Sequence, residues 1–428
     1  MDPLGKPASP DVEQLAELAQ LAQLAELAEL GQLLRARPLG TPSVETMNER
    51  FGPLDLLVVQ PTPFCNIDCS YCYLPNRNDR KRMSLELLQR TFAWVLESGL
   101  MRRPYTVVWH AGEPLVVPRA FYEDAFAIAT RFGSQENVAT HAFQTNGTLI
   151  NEEWCALFRR YDIRVGVSVD GPSFLHDARR KTRGGRGTHE RVMTGIQQLR
   201  RQGISFHVIT VLTREALDYP DELYAFYVEN GIEHVGFNIE EIEGPNEDSS
   251  LSVNDATARY REFMSRFFDL AMTGDSPMRI REFDNMISAV MYTGEERSLS
   301  AQEATPFAIV SVDCEGNLST FSPELLGLPS RLYGGFGLGH VSRDSFAQVV
   351  ASDHFLAMAR DVSAGIAKCR AECSYFRVCG GGAPANKYFE NGSFDSTETM
   401  FCRLHRKALA EVVLSKMQGP HPRCANAA

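Results

Sequence analysis

The sequence has no long hydrophobic run and no excess of positive charge. No stretch of about 18 apolar residues occurs in its 428 residues, so we expect no membrane-spanning helix. The chain has 43 basic against 54 acidic residues, a net charge of -11. This balance disfavours nucleic-acid binding as the main function but leaves room for a local basic patch. The first residues contain neither a basic nor an apolar stretch, so no secretion signal is expected.

Cysteine is also scarce, and its distribution is uneven. Ten cysteines occur in the chain, and most of them fall in two clusters. Clustering of this kind favours metal ligation in a reducing compartment over a disulfide framework. We therefore expect a cytoplasmic protein, with enough residues to bury two or three hydrophobic cores.

Cys65, Cys69 and Cys72 form a C-x3-C-x2-C triplet directly after the apolar run 54–60. Three thiolates can hold three irons of a 4Fe-4S cube and leave the fourth iron open to a ligand. Zinc sites usually pair one C-x2-4-C with a second pair, and no such partner lies nearby in the sequence. The triplet therefore predicts an open iron–sulfur cluster, with a zinc site or three unrelated buried cysteines as the alternatives.

From about residue 52 onwards, short β-rich runs alternate with longer amphipathic segments such as 85–97 and 191–201. The runs are 54–60, 105–110, 138–144, 163–169, 204–212 and 233–239. Six such units predict a parallel sheet, and ligands of parallel sheets bind at the carboxyl ends of the strands. We expect the cysteine triplet to meet there with polar residues that follow the next three strands, namely Gly112, Glu113, Asn146 and Asp170.

The carboxyl-terminal third contains a second cysteine cluster. Its members are Cys369, Cys373, Cys379 and Cys402. Four thiolates suit a closed 4Fe-4S cluster, and Gly380–Gly382 would let the chain turn tightly around inorganic sulfide; tetrahedral zinc is the alternative. Cys155 is expected to be a small buried residue of a helix over 152–160, and Cys314 is not assigned as a ligand.

The first fifty residues form a low-complexity segment. Leucines recur at every third position from Leu15 to Leu30, and Asp11 with Gln14 could form a capping box. A period of three precesses around a helix of 3.6 residues per turn, so these leucines form no fixed seam and no coiled coil is expected. We expect a Leu/Ala-rich helical extension and linker over 1–50, with a docking helix or a peptide leader as the alternative.

The triplet resembles the signature of radical S-adenosylmethionine (SAM) enzymes, and further motifs follow in the order of that family. His110–Pro114 is similar to the GGEP motif, with Ala111 in place of the first glycine, and 144–147, 167–172 and 176–180 fall at similar intervals. The resemblance implies an α/β fold with a partial (β/α)6 TIM-like barrel, an open 4Fe-4S cluster and the cofactor SAM. It implies SAM contacts from Tyr71, Gly112, Glu113, Asn146, Ser168, Arg180 and Leu212. For Tyr71, simple packing of a loop aromatic is an equal alternative.

The carboxyl-terminal segment resembles, incompletely, the SPASM domain of radical SAM peptide maturases. A full SPASM domain carries seven cysteines for two auxiliary clusters, whereas Ala383 and the pair Phe321 and Ser322 stand at positions where cysteines are expected. The resemblance therefore implies one auxiliary 4Fe-4S cluster. We expect the barrel over 51–275, a bridging region with a β-hairpin over 276–365, and a small SPASM/twitch-like domain with a carboxyl-terminal helix over 366–428.

Longer strings, 60–75, 320–327 and 379–392, resemble the GrrM/OscB-type cyclophane-forming maturases, and the similarity covers about residues 50–418. It implies a ribosomally made precursor peptide, in which a radical at a β-carbon attacks an aromatic ring. It also implies an electron donor such as flavodoxin or ferredoxin. Glu324 is expected to take the proton of the ring, with a solvated turn carboxylate as the alternative.

Two other functions stay open at this point. A sulfatase-type maturase, which oxidises a cysteine or serine to formylglycine, shares the barrel but normally has two auxiliary clusters. A non-catalytic iron–sulfur redox protein would explain the cysteines but not the motifs that resemble a SAM site.

Overall fold

The computed structural model of the chain describes residues 51–133, 138–274, 278–291 and 301–418. The helical extension predicted over 1–50 lies outside the described residues. The chain from residue 50 onwards forms one compact unit, and the boundaries predicted inside it stay predictions. None of the helices in the described ranges has the length and hydropathy that crossing a bilayer requires.

Strands and helices alternate along the described residues. The strands are β1 (Leu56–Val59), β2 (Ile67–Cys69), β3 (Tyr105–Trp109), β4 (Ala139–Thr145), β5 (Arg164–Ser168), β6 (Arg180–Thr182), β7 (Phe206–Leu212), β8 (His234–Ile239), β9 (Arg279–Ile280), β10 (Ile309–Val312), β11 (Asn317–Thr320), β12 (Pro329–Ser330), β13 (Gly334–Gly335) and β14 (Gly339–His340). The α-helices are α1 (Leu85–Glu97), α2 (Arg119–Phe132), α3 (Glu152–Arg160), α4 (Ser173–Arg179), α5 (His189–Arg201), α6 (Pro220–Glu229), α7 (Ala256–Thr273), α8 (Arg281–Met291), α9 (Phe346–Ala351), α10 (Asp353–Glu372), α11 (Phe376–Cys379), α12 (Pro384–Asn391) and α13 (Leu409–Gln418). A π-helix, Cys402–Ala408, leads into α13.

The main sheet has ten strands in the order β14-β11-β10-β1-β3-β4-β5-β7-β8-β9. All six predicted strands are confirmed, and they pair in parallel from β1 to β8. The α/β fold expected from the sequence is therefore confirmed. Right-handed crossovers explain this order, because each helix between two parallel strands packs back onto the sheet.

Apolar residues of the crossover helices are buried against the sheet. In α3, Asn151 caps the first turn by accepting a hydrogen bond from Trp154 N, and Trp154, Leu157 and Phe158 are buried. Cys155 is completely buried in the same helix, as expected. Because the helices cover the sheet, the polar residues of the loops gather at the carboxyl edge of the strands.

β10 and β11 form an antiparallel hairpin, and its place in the main sheet was not predicted. β10 pairs in parallel with β1, in the register Leu56 with Ile309, and β11 and β14 continue the sheet in antiparallel fashion. The segment that precedes the second cysteine cluster is thus joined to the first predicted strand by backbone hydrogen bonds.

Candidate functional site

The carboxyl ends of the parallel strands surround a cavity of about 260 Å³. Cys65, Cys69 and Cys72 all line it, and we call it the three-cysteine cavity. Five of the residues expected to contact SAM also line it, namely Tyr71, Gly112, Asn146, Ser168 and Arg180. Loops that follow several different strands thus meet at one edge of the sheet, as the strand pattern predicted.

A short antiparallel ribbon outside the main sheet holds the cysteine triplet. In this ribbon β2 pairs with β6, so that Cys69 lies opposite Arg180 and Asp68 lies opposite Lys181. Because side chains alternate along a strand, Cys69 and Arg180 face the cavity, whereas Asp68 and Lys181 are exposed. Burial raises the pKa of Cys69 to about 11 and that of Cys65 to about 12. At neutral pH these thiols therefore become thiolates only beside a strong positive charge, such as bound iron.

The loop after β3 requires glycine at position 112. Gly112 has φ +82°, and a Cβ there would lie 2.4 Å from the carbonyl oxygen of Thr62. Ala111, which replaces the first glycine of the related motif, also adopts a left-handed conformation, with φ 65°, at a cost of about 1–2 kcal/mol. The loop therefore keeps a backbone shape that glycine adopts more easily.

Glu113 is buried and does not line the three-cysteine cavity. Its carboxylate accepts hydrogen bonds from Leu115 N at 2.9 Å, Thr145 Oγ1 at 2.7 Å and Asn146 N at 2.8 Å. Burial raises the pKa of Glu113 to about 7, although these hydrogen bonds act in the opposite direction. The side chain ties the loop after β3 to the loop after β4, and its contact with SAM stays a prediction.

An ion pair between Asp170 and Arg180 forms the side of the cavity next to the cysteines. Arg180 Nε and Nη2 donate to the two carboxylate oxygens at 2.9 and 3.0 Å, and the side chains of Arg180 and Asp170 are only 7% and 5% exposed. Burial by itself would raise the pKa of Asp170, but the guanidinium outweighs it and the pKa is lowered. Tyr71 donates its hydroxyl to the same carboxylate. The remaining nitrogen, Arg180 Nη1, lies 4.0 Å from Cys69 Sγ at the cavity wall.

Asn146 and Ser168 line the cavity through their polar side chains. Asn146 Nδ2 donates to Asn66 Oδ1 at 2.8 Å and lies 3.7 Å from Cys65 Sγ. Ser168 Oγ accepts a hydrogen bond from Gln144 Nε2 at 2.9 Å. Both side chains are thus held in place before any cofactor binds, which favours a preorganised site.

Leu212, which was expected to contact SAM, does not line the cavity. Ile209 and Val211 of the same strand do, and Leu212 is completely buried. Because side chains alternate along a strand, odd-numbered residues of β7 face the cavity and Leu212 faces the helices. The contact of Leu212 with SAM stays a prediction, and its side chain does not face the cavity.

Sequence reasoning missed a group of buried acids at the end of β8. Glu240, Glu241 and Glu243 follow this strand and line the cavity together with Glu324. Burial raises the pKa of Glu241 to about 8 and raises the pKa values of Glu243 and Glu324 as well. The signal was available, because these glutamates directly follow the last of the six predicted strands.

The four carboxyl-terminal cysteines line a second cavity, of about 200 Å³, which we call the four-cysteine cavity. Lys387 and Arg406 line it too. Lys387 is only 4% exposed, and Arg406 Nε has no hydrogen-bond partner in the described part of the chain. A buried lysine and a half-buried arginine lie beside the four thiols, although Glu372 and Glu398 also line the cavity. Cations beside four thiols fit an anionic group, such as a four-thiolate iron–sulfur cluster. Cys314 is buried at the β10–β11 turn and does not line this cavity.

A larger cavity of about 710 Å³, the central cavity, shares lining residues with both of these sites. It shares Glu241, Glu243 and Glu324 with the three-cysteine cavity, and Cys379 and Arg406 with the four-cysteine cavity. A molecule in the central cavity would therefore contact residues of both cysteine sites.

Within the described ranges, no three His, Cys, Asp or Glu side chains come close enough together to hold one metal ion. Zinc needs its four ligands around a single centre, whereas the thiolates of a 4Fe-4S cube bind different irons. The iron–sulfur interpretation of the four-cysteine site, with zinc as its alternative, stays a prediction.

Comparison with known proteins gives matches along most of the chain. The model of the radical SAM superfamily matches residues 59–227. An uncharacterized protein of Synechocystis sp. is 45% identical over 372 residues, which cover 86% of this chain and 93% of that protein. A cysteine-type anaerobic sulfatase-maturating enzyme of Clostridium novyi is 24% identical over 384 residues, which cover 85% of this chain and 96% of that enzyme.

Two solved structures have a similar fold. The structure of native anSMEcpe with bound AdoMet and the Cp18Cys peptide matches with a TM-score of 0.69 and 19% identity, covering 85% of this chain and 97% of that chain. The structure of Streptococcus suis SuiB bound to the precursor peptide SuiA matches with a TM-score of 0.58 and 16% identity, covering 88% of this chain and 87% of that chain.

Proposed function

We propose that this chain, which belongs to the radical SAM superfamily, installs carbon–carbon cross-links in a ribosomally synthesised precursor peptide. The product would be a cyclophane, in which a side-chain β-carbon is joined to an aromatic ring. Structures of the same fold that contain a peptide support a peptide substrate. The strings that resemble cyclophane-forming maturases support the cross-link.

The central cavity is the observation that carries this proposal. It borders the three-cysteine cavity on one side and the four-cysteine cavity on the other, with Glu324 in its wall. Closing a cyclophane removes a hydrogen atom from a β-carbon, and then a proton and an electron from the aromatic ring. A peptide in the central cavity would meet a site for each of these three removals.

The cofactors of the proposal are SAM and two 4Fe-4S clusters. Cys65, Cys69 and Cys72 would hold the cluster beside SAM, and Cys369, Cys373, Cys379 and Cys402 would hold the auxiliary cluster. When bound, these groups supply a radical that takes the hydrogen atom and an acceptor for the surplus electron. The chain itself contributes the positions of Asn146, Ser168 and Arg180, together with walls that limit the access of water.

Glu324 is the residue that we propose as the acceptor of the ring proton. It is half-buried and lines both the three-cysteine cavity and the central cavity, and its carboxylate accepts a hydrogen bond from Ser322 Oγ. Burial raises its pKa, which makes the carboxylate a stronger base at neutral pH. Glu241 and Glu243 line the same two cavities and provide further carboxyl groups along the wall.

The substrate is tested by producing the protein together with short open reading frames that neighbour its gene. We expect one of the peptides to lose two hydrogen atoms per ring, and fragmentation should place each ring between an aromatic residue and a β-carbon. The same peptide without this protein is the control. A panel of such peptides that all keep their full mass would contradict the proposal.

We expect Glu324→Gln to reduce the formation of cross-linked peptide about 10²–10⁴-fold, the usual contribution of a general base. SAM cleavage should continue, because the radical is formed before the proton leaves the ring. The measurement compares 5'-deoxyadenosine with cross-linked peptide in the same reaction. Glu315→Gln is the matched control, since Glu315 is exposed and pairs with Lys81. Full cross-linking by the Glu324 variant would exclude this role.

Formylglycine formation is the second candidate, favoured by the similarity to the sulfatase-maturating enzyme of C. novyi. We expect about eight irons per chain after anaerobic reconstitution, two four-iron cubes, rather than about twelve. Phe321, at a position where a cysteine would be expected, is buried and packs near Phe394, which supports the lower number. Twelve irons, together with an aldehyde in the product peptide, would favour formylglycine formation.

A further inference from the structure

The ribbon of β2 and β6 separates the three-cysteine cavity from an exposed surface by a single layer of chain. On the inner side of the ribbon, Cys69 and Arg180 face the cavity. On the outer side, their sequence neighbours Asp68 and Lys181 are exposed. A group bound to the cysteines would therefore lie only one strand pair away from this surface.

The surface around the ribbon is strongly basic, although the chain as a whole carries a net charge of -11. We call it the basic face, and it consists of Arg77, Arg80, Arg179, Lys181, Arg183 and Arg186. Three acids border these cations. Asp68 pairs with Arg77 at 2.9 Å, and Asp79 and Glu315, which pair with Lys81, line the same pocket as Arg77 and Arg183. With Lys81 included, seven cations and three acids leave an excess of four positive charges here, on a protein whose other residues are on balance acidic.

Several of these cations contact the cysteine loop itself. Arg183 Nε donates to the carbonyl oxygen of Cys65 at 2.8 Å, and Arg77 Nη1 donates to that of Cys69 at 3.0 Å. The guanidinium groups of Arg80 and Arg183 lie 4.6 and 5.3 Å from the centre of the Phe64 ring. The basic face is therefore built onto the backbone that carries the cysteines.

We propose that the basic face is the docking surface for an acidic one-electron carrier protein that reduces the cluster held by Cys65, Cys69 and Cys72. This inference rests on the proposed function, since SAM cleavage consumes one electron per turnover. The carrier is oxidised by one electron and the cluster is reduced by one. The opposite side of the cluster faces the cavity, where SAM and peptide would bind, so the ribbon is the free approach for a protein donor.

Charge complementarity selects the partner. A basic face on an acidic protein attracts an acidic surface and repels a basic one, and it accelerates encounter at low ionic strength. A nucleic acid would also be attracted, but it carries no electron to the cluster. Surface charges separated by more than about 10 Å are largely screened at 0.1 M salt, so this docking should depend strongly on salt.

The test measures binding of a purified acidic flavodoxin to the reconstituted protein at low and high salt. We expect Lys181→Glu combined with Arg186→Glu to weaken binding about tenfold at low salt, and the difference should vanish at high salt. The matched control is Arg131→Glu combined with Arg201→Glu. It changes the net charge equally, at exposed residues in the last turns of α2 and α5, on the far side of the sheet.

A variant that should strengthen binding distinguishes an effect of charge from a loss of structure. Asp68→Asn removes the acid that lies within the ribbon itself, and we expect it to tighten flavodoxin binding. The proposal would be overturned if both double variants weakened flavodoxin binding equally. It would also be overturned if neither Asp68→Asn nor the Lys181 and Arg186 double variant changed flavodoxin binding. SAM cleavage driven by dithionite should be unchanged in all of these variants. If the wild-type protein did not cleave SAM with dithionite, the proposed function would be contradicted. The flavodoxin-binding measurements would still test the docking surface.

Discussion

Replacing Cys65, Cys69 and Cys72 together by alanine should abolish SAM cleavage. These three side chains line the cavity that also contains Asn146, Ser168 and Arg180, and without thiolates no cluster can form there. We expect 5'-deoxyadenosine to fall to background under reducing conditions. The iron content should drop by about half, to about four irons per chain, with the absorbance of the auxiliary cluster retained.

Cys314→Ala is the matched control for this experiment. Cys314 is also a buried cysteine, but it lines neither of the two cysteine cavities. Its replacement should leave the iron content and SAM cleavage unchanged. Continued formation of 5'-deoxyadenosine by the triple variant would show that the catalytic cluster lies elsewhere. Loss of iron from the Cys314 variant would show that this residue is a ligand after all.

Arg180→Ala should destabilise the protein by about 3–5 kcal/mol, because it leaves the buried carboxylate of Asp170 without its partner. Asp170 also accepts hydrogen bonds from Tyr71 and from Val211 N, so the loss would extend to the loops around it. Arg180→Lys keeps the charge but not the two parallel hydrogen bonds, and its cost should be intermediate. Arg201→Ala, at an exposed site, should change the free energy of unfolding by less than about 0.5 kcal/mol. Chemical denaturation of the reconstituted proteins measures all three.

The stabilisation of the fold by the ion pair between Asp170 and Arg180 should depend on pH in one direction. The pKa of Asp170 is lowered in the folded protein, so its ionisation stabilises the fold above the unfolded pKa of about 3.9. That stabilisation is lost as the pH falls through the folded pKa. The difference in the free energy of unfolding between wild type and Arg180→Ala should therefore be largest near neutral pH and become smaller in acid. A difference that stays constant down to the lowest pH would contradict the assignment to Asp170.

The same arginine is expected to bind the carboxylate of SAM. Two of its nitrogens already bind Asp170, which leaves Nη1 beside Cys69. We expect Arg180→Ala to lose about 1.5–3 kcal/mol of SAM affinity, the contribution of a charge-assisted hydrogen bond. Equilibrium binding of SAM measures it, and unchanged affinity would exclude the contact.

The sequence predicted most of the barrel but little of what surrounds it. The six strands were evident because apolar runs alternated with amphipathic helices, and Cys65, Asn146 and Arg180 followed from motifs placed at strand ends. Leu212 does not line the cavity although Val211 does, because one residue along a strand moves the side chain to the other face of the sheet. The pairing of β10 with β1 could not be predicted, since it joins segments about 250 residues apart with no local signal.

That pairing also limits how the protein can be divided or recombined. β10 covers the side of β1 that would otherwise be an edge of the sheet, and an uncovered apolar edge strand is a template for aggregation. A shortened chain that ended before Ile309 would expose this edge, even if every residue of the three-cysteine cavity except Glu324 were present. Chimeras that exchange the carboxyl-terminal cysteine region for that of a related protein should therefore join the two parents after His340, so that β10, β11 and β14 remain with the strand they protect.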